Sequence, residues 1–556
     1  MDAKTRKGMM LVTVCIFVLL VASAAFAIGV REDGKISGKR MYAIVKDLCD
    51  IAGTGIDSGR RMNEAGEKAA TYIFEKFKDI GLQNVRLEPV ETTRWWPRDW
   101  EVTVLGSSGE ETILSFPWWY SYGTESVEAE LVYVGYGTPG EFAPVDVKDK
   151  IVLVEMKRFL HFIPSIKYTG AYETAVKKGA RAVILTDALI DAPCGQSIGS
   201  LENFAPIPVF SIGKSTGEYL KGLLESGPVQ VRVRLNIEVS PWTVYNVVGE
   251  LPGNGKIDEI ILVGGHYDSW FTGAVDNAGG DAGIIELARY YAKERPKESR
   301  DRDMMFVALF GHEFGDIGHK AFVKEHQDIL VKITTFLDVD GWGSKGYEEV
   351  DGEIRETGYD EKKGIFTSNP FLLSYARETV VKYNMLPTLY WEGAFVADQG
   401  RFYAAGIPQF LLIGKNPYYH SLLDSPEKIS PDILKRTAEA YRDIIDRIDD
   451  TPEGFIISTD VNPFRVAPNE PPSEAYFVVL PRTTVVGSPV FVYFGFTYDD
   501  HVMMSYNCTW DFGDGGTAVG PIAYHVYMKP GVYTITMTIA DIHGATTTAS
   551  KQVVVQ

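Results

Sequence analysis

The sequence predicts an α/β fold: a mostly parallel sheet with helices on both faces, an inserted small α/β domain and a C-terminal immunoglobulin-like β-sandwich. Three observations predict it. Between residues 237 and 452, short and nearly continuous apolar runs alternate with amphipathic stretches, the pattern of strands covered on both faces. Between residues 125 and 236 the same alternation recurs on a smaller scale. Beyond a Pro-rich linker at 453–472, residues 473–556 switch to period-2 patterning without helical spacing, as in an antiparallel sandwich.

The elements follow in order. Lys4, Arg6 and Lys7 precede an uncharged run from Gly8 to Val30, and Ala25-Phe26-Ala27 has the small-x-small form of a cleavage site. Residues 1–30 read either as a cleaved export signal or as an uncleaved membrane anchor. Both place the remaining chain at the cell surface or outside the cell. Residues 31–124 open with helical spacing at 41–48 and 67–80, stopped by Gly81. The segment Trp95-Trp96-Pro97-Arg98-Asp99-Trp100 reads as packing under a loop, with a substrate-facing aromatic wall as the alternative. In 125–236, strands at 130–134, 151–155, 182–185, 209–211 and 229–235 alternate with helices at 171–178 and 215–225. In 237–452, strands fall at 259–265, 304–310, 333–337 and 409–413, and helices at 281–293, 316–325, 370–381 and 431–448. The last region carries strands at 485–496, 523–527, 531–540 and 546–555.

Composition narrows the function. Aromatic residues make up 12% of the 556, too many for a disordered chain. A formal charge of −19 argues against nucleic acid as a partner. The four cysteines, Cys15, Cys49, Cys194 and Cys508, form no CxxC pair. With Cys15 in the export segment, at most one disulfide can form within the chain. Asn507-Cys508-Thr509 matches a glycosylation acceptor. Any metal must therefore be held by histidines and carboxylates.

Such residues occur where the topology brings them together. His266 follows the strand at 259–265, Glu313 the strand at 304–310, Asp338 the strand at 333–337, and His420 the strand at 409–413 after a short loop. Ligands of open α/β sheets bind beyond the carboxyl ends of the strands. Asp276 lies in the Gly-rich loop Gly273-Ala274-Val275-Asp276-Asn277-Ala278-Gly279-Gly280, which opens the next helix. Histidine and carboxylate ligands without Cys suit a catalytic zinc that keeps one position open. Five exceed the need of one such site, which points to two zinc ions sharing a carboxylate. Taken singly, each residue has an ordinary alternative as a turn, a surface charge or a buried hydrogen-bonding group.

These motifs resemble the secreted co-catalytic di-zinc aminopeptidases, a family with glutamate carboxypeptidase-like and transferrin-receptor-like relatives. The resemblance covers 36–450. It rests on Gly264-Gly265-His266-Tyr267-Asp268-Ser269, on Asp276-Asn277, on Glu313-Phe314-Gly315-Asp316-Ile317-Gly318, on Leu337-Asp338 with Gly341, and on Tyr419-His420 with Asp424-Ser425-Pro426-Glu427-Lys428-Ile429. It implies that His266 and Asp338 bind one zinc, Glu313 and His420 the other, and Asp276 both. It also implies that Asp268 orients His266 and that the Asp276–Asn277 peptide is cis. Lys148-Asp149-Lys150 leading into 151–154, then Lys178-Gly179-Ala180 leading into 182–185, resembles a protease-associated domain. Such domains line a substrate cleft or bind partners. Trp510-Asp511-Phe512-Gly513-Asp514-Gly515, with His525-Val526-Tyr527 and Gly531-Val532-Tyr533, resembles a PKD domain, in which these residues make turns and core.

One residue departs from the family. His312 stands where the resemblance implies a general-base glutamate. A neutral imidazole can accept a proton, although two nearby dications weaken it as a base. The expected activity is hydrolysis of a peptide or protein substrate, foremost release of N-terminal residues, with His312 relaying the proton to the leaving amine. Two other readings stay open: a cell-surface binding protein that keeps its metals without turnover, touching partners through the C-terminal sandwich, and glutaminyl cyclisation at a single zinc.

Overall fold

In the computed structural model the described residues are 36–56, 61–107, 109–159, 163–164, 170–201, 203–361, 363–385, 388–393, 398–462, 474–498, 508–520, 522–540 and 546–556. The expected export segment and Asn507 lie outside them. Among the described residues no helix is long and apolar enough to cross a membrane. Cys49, Cys194 and Cys508 are buried and form no disulfide.

A large sheet organises the chain up to residue 414. From one edge its strands run 388–392, 363–367, 409–414, 333–338, 260–266, 303–309, 229–251, 124–133, 151–156, 182–187, 209–212 and 116–117. The strands Ile260–His266, Asp303–Leu309, Ile333–Asp338 and Gln409–Gly414 are mutually parallel, so their carboxyl ends share one edge. Both faces are covered. Ile261 and Val263 pack into one core cluster with the helices Gly38–Ala52, Gly279–Lys293 and Pro431–Asp449, while Leu262 packs on the opposite face with Val307 and Phe336. Continuous apolar strands require such two-sided cover. Helix starts follow local chemistry: Asn369 and Ser430 cap helices whose first residues are Pro370 and Pro431.

Two long strands join the halves of this sheet. Gln83–Gly106 and Val229–Leu251 pair antiparallel from Gln83↔Glu250 to Leu105↔Gln230. At one end Val247–Leu251 pairs with Met304–Ala308; at the other, Val229–Leu235 pairs with Thr124–Leu131. The strand expected at 229–235 thus runs on to Leu251 and carries the chain between the two units. Residues 99–105 continue this ribbon beside 230–236, and Phe116 pairs with Ser211, so strands that precede residue 124 are hydrogen-bonded into the sheet of the inserted domain. The Trp-rich segment is part of this ribbon, and Trp95 and Trp96 are buried in a cluster with Phe116, Trp119, Trp270 and Phe271.

The C-terminal sandwich has its own core, with Phe477, Trp510, Phe512, Tyr527 and Met537. Its motif residues make turns: Asp511 accepts the Gly513 N–H, Asp514 accepts the Gly516 N–H, and Tyr527 donates to the Phe512 carbonyl at 2.8 Å. It touches the inserted domain where Gly487 lies beside Gly140 and Tyr524 beside Gly170.

The helix Pro431–Asp449 is tied to the sheet by Arg302, a fully buried residue. Its guanidinium pairs with Glu259 at 2.7 Å and donates to the carbonyls of Ile448, Asp449, Thr451 and Pro452. Arg302→Met leaves the Glu259 carboxylate buried without its cation and removes the guanidinium donors from those carbonyls. Urea unfolding should show a loss of about 3–5 kcal/mol, the range for breaking a buried ion pair.

Candidate metal centre

His266 ends the strand Ile260–His266 and is buried. The two glycines before it are needed for close approach: a Cβ on Gly264 would meet Val307 Cγ2 at 2.3 Å, and one on Gly265 the Val339 carbonyl oxygen at 2.5 Å. Asp276 lies in the turn Ala274–Ala278 that opens the helix Gly279–Lys293, and the Asp276–Asn277 peptide is cis. Asn277 knits three loops together. Its amide donates to the carbonyls of His266 and Val339, and its oxygen accepts the N–H groups of Gly280 and Gly341. Glu313 sits in the turn His312–Phe314, between Gly311 at φ 85° and Gly315 at φ 98°. His420 is left-handed at φ 57°, an uncommon state for a residue with a side chain.

The loops bring two buried groups together. In one, His266 Nε2 stands 3.2 Å from Asp276 Oδ1 and 3.6 Å from Asp340 Oδ1. In the other, His420 Nε2 stands 3.3 Å from Asp276 Oδ2 and 3.0 Å from Glu313 Oε1. Asp276 thus offers one oxygen to each. Ligands about 2.0–2.1 Å from a tetrahedral zinc lie roughly 3.3 Å apart, so these spacings fit a cation in each group. His266 Nε2, Asp276 Oδ2, Glu313 Oε1 and His420 Nε2 are buried and without hydrogen-bond partners. Leaving them so is unfavourable, and a cation satisfies them together. Burial opposes charge on Asp276, but His266 and His420 outweigh it and hold its pKa below the ordinary carboxylate range.

A second layer fixes these side chains. The Asp268 carboxylate accepts the N–H groups of Gly311, His312 and Glu313 at 2.8, 3.2 and 3.0 Å, which sets the turn bearing Glu313. Its carbonyl oxygen lies 3.0 Å from His266 Nδ1, whereas its carboxylate is 3.6 Å away. Asp268 therefore faces His266 through its backbone and the Glu313 turn through its side chain. Trp270 Nε1 donates to Glu313 Oε2 at 2.8 Å. Asp424 accepts the N–H groups of Val275 and Asp276, and burial pushes its pKa up to about 7. Buried Arg61 donates to the carbonyls of Tyr267, Thr272 and Gly273, bracing the loop between His266 and Asp276.

His312 borders this centre. Its Nδ1 lies 3.1 Å from Asp316 Oδ1 and 3.0 Å from Asp398 Oδ1. Asp398 Oδ1 also lies 2.8 Å from His319 Nε2, and its Oδ2 accepts the His266 N–H at 2.7 Å. Burial opposes charge on His312, but Asp398 and Asp316 outweigh it and hold its pKa well above the ordinary histidine value. Its ring is tilted by 31° to that of His266, with centroids 4.6 Å apart. His266, His312 and Asp398 form a third close cluster, in which Asp398 Oδ1 faces His312 Nδ1.

Of the residues expected from sequence, the structure brings together His266, Asp276, Glu313 and His420, with His312 and Asp268 beside them. It does not bring Asp338 into either group. The Asp338 carboxylate is buried and accepts the Gln399 N–H at 3.1 Å, and Asp340 faces His266. Sequence reasoning passed over Asp340, Asp398, Trp270 and Arg61. Asp340 shares strand parity with Asp338, the only signal that could have exposed it.

Residues 246–445 match the family model described as Peptidase family M28, residues 127–220 a PA domain and residues 474–555 a PKD domain. The chain is 27% identical to Carboxypeptidase Q of Xenopus laevis over 308 residues, 51% of this chain and 62% of that protein. It is 24% identical to Probable leucine aminopeptidase 2 of Aspergillus fumigatus over 285 residues, 51% of this chain and 54% of that protein. The matches thus span less than two thirds of these relatives. Among solved structures, a peptidase M28 precursor from Shewanella amazonensis superposes with a TM-score of 0.59 at 21% identity, covering 74% of this chain and 94% of that one. A zinc aminopeptidase from Bacillus subtilis gives 0.55 at 21%, covering 76% and 98%. The chain carries the M28 peptidase fold with PA and PKD domains.

Asp268→Ala frees the turn that presents Glu313. Metal affinity, read by competition with a chromogenic chelator, should fall about 10–100-fold, as for other groups that orient ligands.

Proposed function

We propose that this M28-type chain is a zinc-dependent exopeptidase that releases N-terminal residues from peptides outside the cell. One observation carries the reading: two buried histidine–carboxylate groups share Asp276 and leave four polar atoms without partners. We assign His266, Asp276 and Asp340 to one zinc, and Asp276, Glu313 and His420 to the other. Two zinc ions so held would acidify a water and polarise a scissile carbonyl. Asp338 is left outside both groups, its Oδ2 accepting the Gln399 N–H. Similarity to Carboxypeptidase Q and to Probable leucine aminopeptidase 2 supports a peptide substrate. The PKD sandwich supports an extracellular setting.

His312 is the group we assign to the proton. With Nδ1 turned to Asp316 and Asp398, Nε2 is the ring atom left to take a proton and return it to the leaving amine. This is the orientation logic of a carboxylate behind a catalytic histidine. A second reading has its own support: the same two carboxylates favour the charged ring, which has no free lone pair with which to accept a proton. On that reading the chain holds metals without turnover.

Elemental analysis of zinc-loaded protein should give two zinc ions per chain, and Asp276→Ala should lower occupancy of both. Asp340→Ala should release one ion while Asp338→Asn keeps two; the opposite pattern would restore Asp338 as the ligand.

Turnover of a panel of amino-acid anilides, abolished by chelator, tests the activity. His312→Ala should lower kcat about 10²–10⁴-fold with zinc retained, the range general-base catalysis supplies. Activity needs His312 neutral, so kcat should fall as pH drops through its pKa. His312→Glu should move that acidic limb downward, because a carboxyl ionises below imidazole. A wild type inactive on every peptide, with His312→Glu gaining turnover, would favour the binding protein.

A further inference from the structure

Besides aromatic ring contacts, a short segment of the inserted domain, residues 193–197, makes backbone contact with the candidate metal centre. On one side the segment is anchored in its own domain. The Cys194 carbonyl accepts Trp118 Nε1 at 3.0 Å and Ser211 Oγ at 2.6 Å, and the Cys194 N–H donates to Ser211 Oγ at 3.1 Å. The Gln196 carbonyl accepts the Trp119 N–H at 2.8 Å.

On its other side the segment holds the chain that bears two proposed ligands. The Gly195 N–H donates to the carbonyl of His420 at 2.8 Å, and the Leu422 N–H donates to the carbonyl of Pro193 at 3.1 Å. Cys194 and Ser421 form an antiparallel bridge between them. Ser197 Oγ donates to the carbonyl of Glu313 at 3.2 Å. The bonded residue His420 is the one in the left-handed conformation, which an unsupported loop would tend to leave. Gly195 also makes room for Trp270: a Cβ there would meet Trp270 Cε3 at 2.1 Å and Cδ2 at 2.4 Å. Trp270 in turn donates to Glu313 Oε2. Backbone bonds, a hydroxyl and an indole from one edge thus converge on Glu313 and His420, the half of the site farther along the chain from His266.

We propose that residues 193–197 of the inserted domain are positioning residues of the metal centre, which brace its Glu313–His420 half and couple metal affinity there to the docking of that domain. The proposal rests on the two-cation reading above. Coupling of this kind is reciprocal: a cation bound between Glu313 and His420 tightens the segment that holds them.

The test uses the full chain and zinc alone. Gly195→Ala should drive the indole off Glu313 and leave one zinc bound tightly while the second weakens about 10–100-fold, the range for lost orienting contacts. Ser197→Ala removes one hydroxyl without adding bulk and should weaken the same ion less, with the other unchanged. In the wild type, zinc loading should slow hydrogen exchange at the Gly195 amide, a readout that needs no variant to fold. Two zinc ions held by both variants at wild-type affinity, with Gly195 exchange indifferent to zinc, would overturn the brace and leave the two-cation reading standing. A wild type that binds fewer than two would overturn both. Equal weakening of both ions would also overturn it, by showing general disruption.

Discussion

Asp276 is a buried carboxylate between two buried histidines at the edge of a parallel sheet, and most of the surrounding structure follows from keeping it there. An isolated charge so placed would be neutralised or expelled. Here each of its oxygens faces an imidazole, and each imidazole faces a second carboxylate, Asp340 or Glu313. Such an arrangement persists only if the backbone cannot relax. Asn277 spends every polar atom on neighbouring loops, Asp424 holds the amides of Val275 and Asp276, and Asp268 holds three amides of the Glu313 turn.

The same requirement explains why the inserted domain is built into the large sheet. The ribbon of Gln83–Gly106 and Val229–Leu251 makes one hydrogen-bonded surface of two units, so the inserted domain keeps a definite orientation to the metal centre. The Trp-rich segment then packs at the junction. Trp119 stacks on Phe314, next to Glu313, with centroids 5.3 Å apart, and Trp270 bonds the Glu313 carboxylate. The aromatic density is therefore core packing, and Trp270, within the same cluster, reaches the Glu313 carboxylate.

His312 is held by side chains that converge from separate parts of the chain. An imidazole beside His266 needs a partner for Nδ1, and Asp316 and Asp398 supply it from separate elements, with His319 behind Asp398 and Arg401 behind Asp316. The charges form one network, and the ring's preference for its charged form belongs to that network as a whole.

Much was legible in the chain itself. Alternating apolar runs determined the parallel sheet and its cover, period-2 patterning determined the sandwich, and the place of His266, Glu313 and His420 after their strands pointed to the edge where these side chains gather. These are local properties, written in spacing and periodicity. The sequence alone did not distinguish Asp338 from Asp340. Asp338 ends its strand and Asp340 follows two residues on, and only the packing of neighbouring loops decides which carboxylate meets His266 and which accepts the Gln399 N–H. Nor did it show that the strand at 229–235 continues to Leu251, or that Asp398, Arg61 and residues 193–197 come to the centre from distant parts of the chain. Those contacts depend on how loops close in three dimensions, and no pattern of neighbours along the chain records that closure.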